Sequence, residues 1–477
     1  MSPSPKTLLA ASAARQLRFR AGLLAIFTLF VSSMCLAQSP ARTAADRTPC
    51  KIEPVNFEGW KAQQLSNRWL KLILVPQLGG RLMQVIFGGH PYLFVNKHYL
   101  GQYHPPSEAT ANLNWFNYGG DKIWPLPEGD QDERHWPGPI ADALDDGEYG
   151  FKILSEQPTC RVLLEGPPDP QTGLQYSREI GVRSDSPEIS FHAVMKNITG
   201  HPIEWSMQSV SQYDTSDGKN GLNGNLRAYA PVNRSSAYPD GYYARTGLGH
   251  SPAYSVKDDL FLLHWLNLQS EIWLDSTGGW LAVADGASRY AMVERFNYQP
   301  TASYPGKATV IFYSNGPTLH VNEKGEPSLS KDNPDDALHY LEAEINSPLV
   351  KLSPGETYAM DTKWFPTRID APITGIEDAG TIAGPIHVSP GAHGLLLTGS
   401  AGVFFSGKLA LYFYDRNGIR SSVLPLQAVD PLEPLNLHEE FQVPPSTTRI
   451  SLHLMDDVGM DKGSLGEAVV PSGNGGS

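Results

Sequence analysis

The chain has 477 residues, with 50 acidic and 37 basic side chains and a formal net charge of −13 at pH 7. That balance argues against a nucleic-acid partner or an anionic membrane surface and suits a neutral or cationic one, such as a neutral sugar. Forty-five glycines, 39 prolines and 10% aromatic residues beside only 18% charged ones point to short strands joined by many turns, an all-β chain too long for one ordinary domain.

Lys6, Arg15, Arg18 and Arg20 precede an apolar run from Ala21 to Val31, and Cys35-Leu-Ala37 ends it. Residues 1–37 are expected to be a bacterial Sec-type signal peptide cut after Ala37, which makes the protein secreted or periplasmic, with no stable membrane insertion afterwards. The run is short for an uncleaved anchor, the alternative. Loss of four basic and no acidic residues takes the net charge from −13 to −17. Of the three cysteines, Cys50 and Cys160 remain. In an oxidising compartment they are expected to pair, two buried thiols being the alternative. No metal-ligand spacing, phosphate loop or dinucleotide fingerprint occurs, so neither a metal nor a cofactor is expected.

Residues 38–50 are small and polar, a flexible leader. Strands are expected at Trp69–Val75 and Arg81–Phe87, joined through Gln77-Leu-Gly-Gly80. Residues 98–147 then break the rhythm, as a long insert without regular structure. Within it lies Asn112-Leu-Asn-Trp-Phe-Asn-Tyr-Gly-Gly-Asp-Lys-Ile-Trp-Pro-Leu-Pro-Glu128. Flat rings beside carboxylate, ammonium and amide groups are what a sugar site needs: the rings cover the C–H face and the polar groups reach the hydroxyls. A Trp/Pro-rich loop capping the end of a β-sandwich is the alternative.

Strands resume at Tyr149–Leu154, Cys160–Leu164, Gln175–Val182 and Glu188–Lys196. In the last of these Ile189, Phe191, Ala193 and Met195 share one face, and His192 is a surface residue on the other. Pro202 to Tyr213 forms the next strand, with Gln208 and Gln212 on one unusually polar side, about 13 Å apart at strand rise. That side is either the floor of a wet cleft or plain solvent surface. Further strands run at Glu271–Asp275, Gly279–Ala284, Tyr290–Phe296 and Ala308–Ser314. Tyr340–Ile345 turns Leu341, Ala343 and Ile345 inward and Glu342 and Glu344 outward, and Thr357–Trp364 closes the body. Asn333 to Ala337 suits one helical turn. A large antiparallel body over 51–370 results, followed by a small β domain over 371–460 and a Gly/Ser-rich disordered tail over 461–477.

Leu74-Val-Pro-Gln-Leu-Gly-Gly-Arg-Leu82 resembles the opening strand pair of galactose mutarotase-like proteins. Asn117-Tyr-Gly-Gly-Asp-Lys-Ile-Trp-Pro125 is similar to the Gly-Gly-x-x-x-Trp segment of the DUF4380 branch of that superfamily. Tyr340 to Leu349, then Leu352-Ser-Pro-Gly-Glu356 and Trp364, resemble its closing segment. The resemblance spans about 60–370. It implies a supersandwich, two large antiparallel sheets with a sugar cleft on the concave one, here followed by a small C-terminal β-sandwich-like domain. Mutarotases use a glutamate base and a histidine acid. Ala291-Met-Val-Glu-Arg-Phe-Asn-Tyr298 looks like the segment that holds the base, which falls on Glu294. The strand that should hold the acid has Gln208 and Gln212 instead, and glutamine transfers no proton near neutral pH.

The expected function is therefore an exported carbohydrate-binding protein with epimerase or mutarotase-like chemistry. Its catalytic set is Glu294, Asp121 and Lys122, and its substrate contacts are Trp115, Asn117, Trp124, Gln208, Gln212, Arg295 and Arg81. Binding of a sugar or oligosaccharide without turnover is the alternative, and a glycan hydrolase or lyase with two opposed carboxylates is a third. In all three, Asp121, Lys122, Trp124, Gln208 and Glu294 are expected to line one hollow.

Overall fold

Alternation of buried and exposed side chains builds this molecule strand by strand. Ile189–Asn197 buries Ile189, Phe191, Ala193 and Met195 and exposes His192 and Lys196, and His192 meets Asp361 on the surface at 2.8 Å. The computed structural model describes residues 49–107, 115–129, 134–139, 143–219, 221–247, 251–321, 327–329 and 338–471. The expected signal peptide, all but the last two residues of the leader, the helical turn at 333–337 and residues 472–477 lie outside these. No helix among the described residues is long and apolar enough to cross a membrane.

Two large antiparallel sheets face each other. In the twelve-stranded sheet the order is Lys51–Phe57, Trp60–Ser66, Leu70–Val75, Arg81–Phe87, Asp121–Leu126, Ile203–Asp214, Tyr340–Asn346, Val310–Ser314, Ser270–Leu274 and Tyr243–Thr246, with two short strands off this path. The ten-stranded sheet is centred on Trp280–Asp285, Tyr290–Phe296, Thr357–Arg368 and Ile189–Asn197. Val85, Met207, Ile272, Phe312, Leu341 and Ala343 of the first sheet share one core with Ile180, Phe191, Met292 and Trp364 of the second. Each such large side chain stabilises the fold by about 1.5–3 kcal/mol when fully buried.

The back of the ten-stranded sheet is covered as well. Ala291, Val293 and Phe365 pack with Phe404, and Thr367 Oγ1 donates to the Val403 carbonyl at 2.9 Å. Phe404 directly follows Leu395–Val403, a strand in a pair of four-stranded sheets with their own core of Leu397, Leu411, Leu437, Ile450 and Leu452.

Three expectations need correcting. Strands begin at Lys51, with the hairpin of Lys51–Phe57 and Trp60–Ser66. The insert at 98–147 contains a strand, Asp121–Leu126, in the middle of the large sheet. A proline inside a central strand lacks a ladder donor, but this strand pairs with Arg81–Phe87 only through Leu82 and Asp121. Pro125 therefore lies where the strand has one neighbour, Met207, and no second ladder asks for its missing N–H. Finally, Asp461–Val469 is an edge strand of the last sheet, not part of a disordered tail. Leu465 anchors it, 1% exposed, and Gly463 answers to close packing: a Cβ there, at φ +109°, would lie 2.3 Å from the Asp378 side chain.

Cys50 and Cys160 are joined by a disulfide, with Cα atoms 5.9 Å apart. It ties the residue before the first strand of the large sheet to Thr159–Glu165 of the other, closing a loop with a sequence separation of 110. Removing it with Cys160→Ser is expected to lower stability by about 2–4 kcal/mol in urea unfolding, through the freed unfolded chain. An unchanged midpoint would mean the tie restrains nothing.

Candidate functional site

Because successive strand residues point to opposite faces, Asp121 and Lys122 part company. Asp121, with Ser211 and Tyr213, turns toward the ten-stranded sheet, where Glu294 meets them. Tyr213 Oη donates to Glu294 Oε1 at 2.6 Å, Ser211 Oγ donates to Asp121 Oδ1 at 3.2 Å, and Arg178 forms an ion pair with Asp121. Glu294 and Asp121 are both 0% exposed. Burial raises the Glu294 carboxyl to about 8, with Tyr213's hydrogen bond opposing and Asp121's charge adding. This is a buried polar network inside the sandwich, in which Arg178 Nε and Nη2 have no hydrogen-bond partner among the described residues. Glu294 and Asp121 do not share a hollow with Lys122, Trp124 and Gln208, and the assignment of Glu294 as base is corrected to a core role.

The consequence is measurable. The folded chain keeps a proton on Glu294 that the unfolded chain releases above its ordinary value of 4.5. This group's contribution to stability is full below that value. It falls by about 1.4 kcal/mol per pH unit up to about pH 8, where the folded state loses the proton too. Glu294→Gln is expected to flatten that part of the stability–pH curve. A slope identical to wild type would show that Glu294 does not carry the proton.

Lys122, Trp124, Gln208, Gln212, Glu342, Glu344 and Asn346 take the other side of the large sheet, in register across three adjacent strands. Lys122 Nζ lies 3.6 Å from Glu342 Oε1, 4.4 Å over the Trp124 ring and 5.6 Å from the Trp115 ring. Gln212 Nε2 donates to Glu342 Oε1 at 2.8 Å, and Gln208 Nε2 donates to Glu344. Farther along, Arg245 pairs with Glu271 at 2.9 Å, whose carboxylate also takes the Trp273 indole N–H at 2.6 Å. Glu128 stands exposed at the rim.

Electrostatically the two neighbouring carboxyls differ. Burial raises both. Lys122's ammonium and Gln212's amide oppose that at Glu342, whereas Glu344 is raised well above the ordinary range by burial and then by the charges of Glu342, Glu271 and Glu128. Of the two, Glu344 is therefore held higher. Burial also lowers Lys122, with Glu342 opposing. Three polar atoms of this face have no hydrogen-bond partner among the described residues: Lys122 Nζ, Gln212 Oε1 and Asn346 Oδ1. Buried unpaired groups of this kind cost about 1–3 kcal/mol each; Lys122, Gln212 and Asn346 are 3%, 0% and 2% exposed, so a ligand hydroxyl reaches them only when the cover of this face opens.

Asp145 holds the aromatic wall. Its carboxylate accepts from Trp124 Nε1 at 2.7 Å, from Trp115 Nε1 at 2.9 Å and from Arg81 Nη2 at 2.8 Å. Arg81, expected as a substrate contact, is 0% exposed and positions Asp145 instead. Asn117 is a turn residue: its Oδ1 accepts from the Gly119 amide at 3.1 Å. There Gly119 has φ +93°, and a Cβ would sit 2.2 Å from the Phe94 carbonyl oxygen. Arg295 faces away, donating to the Glu377 carbonyl at 2.6 Å with Phe365 and Phe404 within 5.3 Å of its guanidinium. Asn117 and Arg295 therefore leave the ligand-contact set.

Glu342, Glu344, Asn346, Glu271, Arg245 and Asp145 were not among the expected site residues. The Glu342–Glu344 alternation was visible, but its outward face was indistinguishable from solvent surface. A cavity of about 830 Å³ also opens beside Leu93–Tyr99, Asp214–Ser216 and His339. Its carboxylate and amides are already engaged, Asp214 by Ser216 at 2.8 and 2.9 Å and Gln84 by Leu93 at 2.8 Å, while His339 Nδ1 is buried without a hydrogen-bond partner among the described residues. No group of three or more His, Cys, Asp or Glu side chains among the described residues is placed to hold a metal ion.

No family model matches the sequence, and no curated protein matches it. Among solved structures, Slr1438 from Synechocystis sp. PCC 6803 is similar at 12% identity and a TM-score of 0.44, over 66% of this chain and 99% of that one. A galactose mutarotase-like protein from Clostridium acetobutylicum is similar at 10% identity and 0.42, over 67% and 99%. Another from Lactobacillus casei is similar at 10% and 0.39, over 64% and 99%.

Proposed function

We propose that the chain is an exported protein of the DUF4380 branch of galactose mutarotase-like proteins, that it holds a neutral sugar on the outer face of its large sheet, and that it opens the ring by acid–base catalysis. The observation that carries this is the Glu342–Glu344 pair. Two carboxyls on alternate positions of one strand, one beside the Lys122 ammonium and the other held well above the ordinary range, stand near an indole wall among unpartnered polar atoms. Glu344 gives its proton to the ring oxygen as the bond from that oxygen to the anomeric carbon breaks. Glu342 takes the anomeric hydroxyl proton, leaving an open-chain aldehyde. Closure from the other face returns both protons and inverts the anomeric carbon.

Binding without turnover is the second reading, favoured by the glutamine donors already engaging both carboxylates. NMR exchange spectroscopy on glucose and galactose, paired with tryptophan fluorescence titration, separates the two. Anomer exchange faster than buffer supports catalysis, a fluorescence response without exchange supports binding alone, and silence in both ends both readings.

A further inference from the structure

The two residues that transfer protons do not stand at the edge of the large sheet. Register pairs run from Lys122 to Val210, Glu344, Ile311, Trp273 and Tyr243, one residue from each of six successive strands and all on the same face. At about 4.8 Å between strands, Tyr243 stands about 14 Å beyond Glu344, farther than one sugar ring can bridge. Tyr243 is 49% exposed and lies on the last strand of the sheet, so the row is open at that end.

Its ring is nonetheless fixed. Tyr238 stacks behind it with centroids 5.9 Å apart and planes at 27°, and Tyr238 Oη donates to the Gly306 carbonyl at 2.6 Å. Trp273 abuts it edge-on at 6.2 Å and 80°, itself pressed against Gly306, where a Cβ would come within 1.9 Å of the indole. Arg245 beside it is half exposed and carries guanidinium donors in addition to the one spent on Glu271. A rigid aromatic ring with one open side, flanked by donors, is a stacking platform for an apolar sugar face, held at low entropic cost.

Resting on the reading of this face as a sugar site, we propose that its ligand is a neutral oligosaccharide rather than a free monosaccharide. One terminal ring lies at Glu342 and Glu344, and the chain runs across the strands over Trp273 to stack on Tyr243. With Glu344 carrying its proton, the carboxylates around the row (Glu128, Glu271 and Glu342) still outnumber its cations (Lys122 and Arg245), which disfavours acidic glycans.

The test is calorimetric titration of the full chain with neutral gluco- and galacto-oligosaccharides of increasing length. In the wild-type protein Kd is expected to fall as the chain lengthens. In Tyr243→Ala that gain is expected to shrink roughly tenfold for the longest ligand, while Tyr243→Phe, which keeps the ring, retains it. Equal affinity for short and long ligands, or a length gain untouched by Tyr243→Ala, would overturn the proposal and leave the sugar site itself standing. Silence of the wild-type protein toward every glycan would overturn the underlying reading, and this one with it.

Discussion

Glu344→Gln is expected to reduce catalysed anomer exchange by about 10²–10⁴-fold, the usual contribution of a positioned acid. Glutamine matches the carboxylic acid in shape and still offers an oxygen to Gln208 Nε2, which donates to Glu344 in the native protein. Unfolding free energy should therefore stay within about 1 kcal/mol of wild type. The pH profile adds a second check. Burial and the charge of Glu342 hold Glu344 well above the ordinary carboxylate range, so the protonated, active form is lost on the alkaline side. Exchange should fall as pH rises in the wild-type protein, and that alkaline limb should vanish in the variant. Unchanged exchange in Glu344→Gln would remove Glu344 from the chemistry.

Asp145→Ala is expected to destabilise the protein by about 3–5 kcal/mol. Arg81 and Asp145 are both fully buried, 2.8 Å apart. Beyond that pair, among the described residues, Arg81 keeps a 3.3 Å hydrogen bond to the Gly119 carbonyl and the Tyr118 ring 5.7 Å away, so the substitution strands a guanidinium in a dry interior. It also orphans the indole N–H groups of Trp115 and Trp124. Urea unfolding reads the loss, and a red-shifted tryptophan emission reads the collapse of the wall over Lys122. Replacing both partners, Arg81→Met with Asp145→Leu, should recover most of the stability but not the indole anchoring. A single variant as stable as wild type would show that the carboxylate clamps nothing.

These expectations rest on features that the sequence showed unevenly. The strands with one polar face, such as Ile189–Asn197 and Tyr340–Asn346, were legible because period-two alternation is a local signal. Tyr290–Phe296 was legible as a strand but not in its facing. Both its sides are apolar, Met292 and Phe296 toward the sandwich core and Ala291 and Val293 toward Phe404, so nothing local told which side Glu294 joins. Asp121 and Lys122 were expected in one catalytic set because they are neighbours in sequence. Only the strand between Gly120 and Pro127 separates them, and its Trp and Pro content masked it. Asp145 carried no signal, since its role comes from three partners that converge from Arg81, Trp115 and Trp124.

The central claim is that a sugar binds on the outer face of the twelve-stranded sheet. A crystal structure of the protein with a neutral oligosaccharide tests it most directly. The account predicts a ring seated between the Trp115–Trp124 wall and Glu342–Glu344, with hydroxyls on Lys122, Gln212 and Asn346. Sugar found instead in the cavity beside Leu93–Tyr99 and His339, with that face unliganded, would contradict it.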